Sequence, residues 1–394
     1  MTVWRPGHSK KMRGHHYSVN GMRFFNFYAA LRYSAKVPHA FAEYVFPKFH
    51  TDAYESVKIK ALLDKPRQYY IREKLSWIFR HHDTQRLHYS GGTDSHTILT
   101  VAQRMGFKFT DSLTACSSVR MDQYVDEEYV PALEYLKNNP DCVDNAEIIY
   151  PTVEDFEKLW RDPETFYKHH GAYFTFRPIY PQITMRGRRE KDCEITGHSK
   201  PKMVRKNGHY YWIGLNNNDE YMGFKNEVSF FGDGFIPELA VKEAYLAKKF
   251  WQEVVPCRDE TKLEGICFND IPVDKRSAFN SFLGREPAFN DTIATGTILG
   301  KAYGLNVKNN RSMSEIISLG RQDIADMWNK TREKIIKDLK DIPDGIKLIS
   351  QKCAFDNYEK ITMIPMRINR IGFCYRLDTD RLTPVDHVEL FNGS

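Results

Sequence analysis

The run Leu87-His88-Tyr89-Ser90-Gly91-Gly92-Thr93-Asp94-Ser95-His96-Thr97-Ile98-Leu99 decides how the rest of the chain is read. Leu87-His88-Tyr89 has the composition of a short strand. Ile98, Val101, Ala102 and Met105 recur at helical spacing, and Gly106 supplies the stop. Between strand and helix lies a polar turn with two adjacent glycines, which lack the Cβ that would keep a ligand off the backbone. The turn's N–H groups and the helix N-terminus together form an anion site. Those donors have no intrahelical partner, and the helix dipole is positive there. Ser90, Thr93 and Ser95 add hydroxyl donors. Asp94 would repel a phosphate directly, so a Mg²⁺ ion bridging its carboxylate to the phosphates is the reading that suits it.

Strands and helices alternate outward from this turn. Before it, Pro66 opens a helix to about Arg80, with Ile71, Leu75 and Ile78 on one face. After it, Phe109 to Ala115 reads as a strand. Tyr129, Leu133 and Leu136 mark a helix ended by Asn138-Asn139-Pro140. Glu147 to Tyr150 is a third strand, Val153, Phe156 and Trp160 a further helix, and Cys193 to Thr196 a fourth strand ending at Gly197. The alternation predicts an α/β fold, a parallel sheet with helices on both faces and ligands at the carboxyl ends of its strands. Residues from about 165 to 235 read as loop-rich. Ala240, Ala244, Ala247, Trp251 and Val254 then share a helical face, and the S-x-x-E box at Ser312 to Glu315 opens a helix reaching roughly Leu339. Ile361 to Leu377 suits a strand or two. Three stretches follow: an N-terminal mixed lead-in over 1–85, an α/β nucleotide-binding domain over 86–235, and a mainly helical C-terminal region over 236–394.

Ser90-Gly91-Gly92-Thr93-Asp94-Ser95 resembles the SGGxDS signature of the PP-loop, or N-type, ATP pyrophosphatases. The resemblance implies a Rossmann-like domain that binds ATP with Mg²⁺. The loop would hold the β- and γ-phosphates while an acceptor attacks the α-phosphorus, giving an adenylylated intermediate and pyrophosphate. It also implies that adenine lies near Thr114 to Ser118, which brings in Cys116. A nucleophile or sulfur carrier is one reading of Cys116, and a small buried residue at a strand end is the favoured one. A second phosphate-facing loop is implied after the fourth strand. Thr196-Gly197-His198-Ser199-Lys200-Pro201-Lys202 stands there, with Gly197 for close approach and Lys200 and Lys202 to neutralise the leaving pyrophosphate. A solvated basic loop is the competing reading of that stretch.

Composition narrows the partners. The 394 residues are 41% hydrophobic and 27% charged, with a net charge of +6, which allows a sizeable core and suits a phosphate-rich substrate. The seven cysteines (Cys116, Cys142, Cys193, Cys257, Cys267, Cys353, Cys374) form no C-x-x-C pair, so neither a disulfide framework nor a zinc site is expected. A reducing cytoplasm follows. No apolar segment follows the basic N-terminus, and no run is long enough to span a membrane. Gly296-Thr297-Ile298-Leu299-Gly300-Lys301 is one residue short of a Walker A loop, and Ala302 replaces its Ser/Thr. The pairs His15-His16, His81-His82 and His169-His170 point their rings to different sides, which disfavours chelation of one ion.

Among PP-loop chemistries, isolated cysteines speak against the thiolation and zinc-bearing branches. The long C-terminal portion suits the amide-forming, asparagine synthetase-like branch. Thr2 stands where a glutaminase of that branch would carry its cysteine, and its G-x-G-x-D-E loop is absent. Nitrogen would then come from free ammonia, a separate ammonia donor or an amine substrate. The expectation is ATP-dependent adenylylation of an unidentified acceptor followed by C–N bond formation. The alternatives are a sulfur-transfer or sulfonucleotide enzyme, a nucleobase- or tRNA-modifying ligase, and a non-enzymatic nucleotide-binding protein. Basic residues gather at Arg5 to Arg13 and at Arg186 to Lys206, but binding triphosphate is job enough for the second group, so tight nucleic-acid binding is not expected.

Overall fold

The computed structural model describes residues 16–24, 27–37, 40, 42–115, 130–149, 153–154, 157, 193–197, 202–206, 208–215, 227–253, 317–340, 346–352, 359–365, 368–369 and 371–386. In chain order these form β1 (His16–Val19), β2 (Met22–Phe24), α1 (Phe27–Lys36), β3 (Ala42–Val45), α2 (Lys48–Glu55), α3 (Ile59–Leu63) and α4 (Arg67–His81). There follow β4 (Gln85–His88), α5 (Thr93–Arg104), β5 (Phe109–Ala115), α6 (Val130–Asn138), a 3-10 turn at Pro140–Cys142, β6 (Val143–Ile149) and β7 (Cys193–Thr196). Then come β8 (Lys202–Lys206), β9 (His209–Leu215), β10 (Glu227–Ser229), α7 (Pro237–Glu253) and α8 (Gln322–Lys340). The tail holds β11 (Ile346–Lys352), β12 (Glu359–Pro365), β13 (Ile368–Asn369), β14 (Ile371–Leu377) and β15 (Leu382–Pro384).

The central sheet has five strands in the order β10-β7-β4-β5-β6, and every neighbouring pair is parallel. Its first strand in sequence, β4, lies in the middle. The chain builds β5 and β6 on one side, then returns to add β7 and β10 on the other, so the order reverses between β4 and β7. Open α/β sheets bind ligands in the crevice at such a reversal, outside the carboxyl ends of the strands.

The sheet has two unlike faces. In the parallel register Leu87 lies beside Ile195, and Ile195 beside Val228. These residues join one core with Ile71, Leu75 and Ile78 of α4 and Ile98, Leu99, Val101 and Ala102 of α5. The spacing of four and three in α4 and its analogue in α5 turn these side chains to one side. Pro66 caps α4 with φ −68° instead of lying within it, and Gly106 ends α5 at φ +73°. The opposite face of the sheet carries Arg86, His88, Asp111, Asn145, Glu147, Glu194 and Thr196. Arg86, Asp111, Glu194 and Thr196 are all buried.

Several expectations need correction. The stretch read as loop-rich contains a hairpin, β8 to β9, with Gly208 at φ +77°. β9 pairs on its other edge with β14, giving an antiparallel sheet in the order β15-β14-β9-β8. The region after 236 is not mainly helical in its tail, where β11 to β15 follow α8. Alternating β-branched and aromatic residues there pack on pleated surfaces more readily than on a helix. The helix expected from Ser312 breaks, because Gly320 adopts φ +77° and α8 begins only at Gln322. The proposed cap at 312–315, the helix at Val153 to Trp160 and the Walker-like loop lie wholly or mostly outside the described residues. Strands also pair across the expected divisions: β13 with β3, and β14 with β9.

One contact in the antiparallel sheet is tight enough to predict an effect. A Cβ added at Gly214 of β9 would sit 2.1 Å from Phe373 Cε1. That ring is wedged among Phe46, Trp212 and Tyr54 at centroid distances of 4.8, 4.9 and 5.6 Å. Overpacking of this kind costs about 1–3 kcal/mol. Gly214→Ala should therefore lower the denaturant midpoint, and an unchanged midpoint would show that the ring has room to move.

Candidate functional site

Strand β4 delivers the chain to the loop. Tyr89 extends the ladder, donating its N–H to Leu113 O at 2.8 Å and accepting from Thr114 Oγ1 at 2.9 Å. Gly91 then turns back at φ +68°, a conformation that favours glycine. Gly92 caps α5 at φ −70°, ψ 160°, with no side-chain cap, and His96 N–H donates to Gly92 O at 2.8 Å as the first helical bond. A glycine cap brings no side-chain oxygen to the first-turn amides, where a Ser or Asp cap would have bonded one of them.

The serines brace this turn. Ser95, buried, accepts from Ser90 N–H at 3.2 Å and donates to Gly92 O at 3.3 Å. Gly92 N–H in turn reaches Ser90 Oγ at 3.4 Å. The Ser95 hydroxyl, expected to face phosphate, is thus engaged inside the loop and holds its shape. Asp94 lies in the first turn of α5, partly buried. His96 stacks edge-on to Tyr135 of α6 at 4.7 Å and meets Tyr89 Oη through Nδ1 at 3.1 Å, which fixes the helix against its neighbours.

Gly197 meets the loop from across the strand-order reversal. It follows β7 directly, and a Cβ on it would lie 2.9 Å from Asp94 Cβ and 3.3 Å from Ser95 N. The chain after β7 therefore meets the loop after β4 at Gly197. Gly197→Ala should push the Ser90–Ser95 turn out of place. It should weaken binding of Mg-ATP, the ligand that the SGGxDS resemblance implies, at least tenfold in calorimetry, and it should also lower the unfolding midpoint because Asp94 Cβ and the Ser95 backbone must shift. A variant that binds like the wild type would show that the turn tolerates the displacement.

The other expected site residues are placed unevenly. Gly91, Gly92, Asp94, Ser90, Ser95 and Gly197 come together. Thr93 opens α5. Lys202 opens β8, its backbone opposite Ile213, so it belongs to a hairpin strand and not to the loop after β7. Cys116 and Lys200 lie outside the described residues. Among those residues no group of three or more His, Cys, Asp or Glu side chains is arranged to hold a metal, and no helix is long and apolar enough to cross a membrane.

Sequence reasoning missed the polar face beside the loop. His88 and Glu194 bond through Nε2 at 2.6 Å, with Glu194 only 3% exposed and His88 13%. Arg86, fully buried, pairs with Glu147 across β5, and Asn145 donates to Asp111 at 2.7 Å. The signal was present: charged residues at period two in β4 (Arg86, His88) and inside β7 (Glu194), where a sheet buried on both faces should read as continuously apolar. Comparison with protein-family models, with curated proteins and with solved structures finds no match to this chain.

Proposed function

We propose that the protein is an ATP-dependent adenylylating enzyme, releasing pyrophosphate and joining the activated acceptor to nitrogen. One observation carries the reading: the SGGxDS turn lies at the strand-order reversal of a parallel sheet, with Gly197 of the facing loop held against Asp94. In this reading the amides of the first turn of α5 and of the glycine turn bind the β- and γ-phosphates. Gly91 and Gly92 keep side chains away from them. Asp94 suits a Mg²⁺ ion held by one carboxylate, phosphate oxygens and water, the usual coordination where a site has no all-protein cage. When bound, that ion would offset negative charge on the phosphates.

The close approach of the two loops supports catalysis by positioning. Groups that keep triphosphate and acceptor in line remove entropy from the barrier, and fixed donors at the leaving pyrophosphate act on charge as it develops. The test is mass spectrometry of a small-molecule extract incubated with the protein, Mg-ATP and ammonium chloride. A new mass accompanied by AMP is the expected outcome. A product carrying sulfur from the extract would favour the sulfur-transfer alternative, and an unchanged extract would count against an enzyme of this class.

A further inference from the structure

The turn after β10, Gly232-Asp233-Gly234-Phe235, is held by side chains from α2 and α4. Tyr54 of α2 donates to Gly232 O at 2.6 Å, and Lys74 of α4 pairs with Asp233. His50 of α2 completes the set, its Nδ1 accepting the Gly234 N–H at 2.7 Å in a buried contact. Helix and turn meet here without slack. A Cβ on Gly234 would lie 2.8 Å from His50 Cα and 2.8 Å from its Nδ1. The turn also bears on the loop after β7, because Phe230 N–H donates to Thr196 O at 2.9 Å and Gly197 follows.

An imidazole nitrogen accepts a hydrogen bond only while it keeps its lone pair, so this bond requires the neutral Nε2–H tautomer of His50. Protonation would set an N–H against the Gly234 N–H, two donors face to face. It would also place a charge among the rings of Phe46, Phe49 and Phe235, whose centroids lie 5.5, 5.3 and 5.7 Å from that of the imidazole. On α2 itself Lys48 faces Asp52 at 3.9 Å, and Glu55 accepts from Tyr375 of β14 at 2.9 Å. Helix α4 brings Lys74 and His81, the latter stacked on Trp77. Helix α7 brings Glu238 in its first turn, Lys242, which donates to Leu63 O, and Glu243, paired with Arg67. The carboxylate next in sequence to Gly234 is Asp233, and Lys74 already offsets its charge.

We propose that His50 is an acid-sensitive latch: protonation of its Nδ1 releases the turn after β10 from α2. The latch is closed at neutral pH and opens below about pH 6.5, where a free histidine titrates. The unfolded chain takes up the proton and the latched chain does not, so the stability it contributes is present above that range and lost as pH falls. Asp233 acts with the opposite sign. Burial raises its carboxyl, so its protonation in acid favours the folded chain. His82, lowered by burial, shares the sign of the latch and lies outside the turn, which is why the test compares variants at His50 alone.

His50→Asn keeps an acceptor near the place of Nδ1 and does not protonate in this range. Between pH 8 and pH 5 the unfolding constant in urea should rise about tenfold more for the wild type than for this variant. Hydrogen exchange should show the segment 230–236 losing protection at pH 5 in the wild type and keeping it in His50→Asn. Nucleotide enters none of these readouts, so they stand or fall apart from the adenylylation reading. Should His50→Asn fail to fold, wild-type protein labelled with ¹⁵N in histidine and glycine carries the test. The imidazole nitrogen coupled to the Gly234 amide across their hydrogen bond should be unprotonated at pH 7 and lose that coupling toward pH 5. The same pH response in wild type and variant, no such coupling at pH 7, or a coupling unchanged at pH 5 would overturn the proposal.

Discussion

Asp94→Asn should abolish pyrophosphate release while leaving the protein folded. Asp94 is partly buried in the first turn of α5, at the point where Gly197 crosses closest to the loop. Asparagine keeps the shape and the capacity to accept hydrogen bonds, so the turn braced by Ser90 and Ser95 should persist. What is lost is the negative charge that, in the proposed adenylylating reading, would hold a Mg²⁺ ion on the triphosphate. Removing one preorganised electrostatic contact at a reacting centre typically costs on the order of 10²–10³ in rate. Steady-state pyrophosphate release measured beside circular dichroism decides the matter. Unchanged turnover would remove Asp94 from the mechanism.

The largest expected stability effect lies elsewhere, at Lys74 and Asp233. Both are buried, 2.5 Å apart, and Lys74 also approaches Ser229 O at 3.4 Å. Burial pushes the Lys74 ammonium down and the Asp233 carboxyl up, each toward its neutral form, and the ion pair opposes both shifts. Asp233 additionally accepts from Phe235 N–H at 3.0 Å. The pair ties the turn after β10 to α4, and Arg67–Glu243 ties α4 to α7 in the same way. Removing one partner leaves an uncompensated buried charge, which costs about 3–5 kcal/mol. Lys74→Met should show that loss in denaturant unfolding. Lys74→Met with Asp233→Leu should recover most of it, short of the bond to Phe235. A single variant as stable as the wild type would mean that water reaches Asp233.

How much of this was legible depended on the kind of signal. Helical periodicity placed α4 and α5 within a residue or two, because their apolar faces meet a single shared core. Strand β7 and its end at Gly197 were legible because a short stretch closing on β-branched Ile195 and Thr196 stops at a glycine. The β8–β9 hairpin was legible in principle from Asn207-Gly208, the dipeptide that favours two-residue hairpin turns. The surrounding lysines and tyrosines masked its alternation. The same dipeptide at Asn20 (φ 48°) and Gly21 (φ 83°) joins β1 to β2. The break before α8 was hidden because a single glycine inside a helical pattern usually costs only about 1 kcal/mol and is tolerated. At Gly320 the backbone uses glycine's freedom to turn instead. In the site, the loop residues were legible from local chemistry. The His88–Glu194 pair was not, since its members are far apart in sequence and meet only through the register of β4 with β7.

The proposed adenylylation is tested most directly by asking which bond of ATP, if any, the protein breaks. ATP labelled separately on its α- and γ-phosphates, incubated with the protein, Mg²⁺ and an acceptor-containing extract, reports the bond that breaks. The account predicts AMP and pyrophosphate in equal amounts, dependent on the extract and lost in Asp94→Asn. Release of ADP and orthophosphate, or no cleavage with any extract, would contradict it.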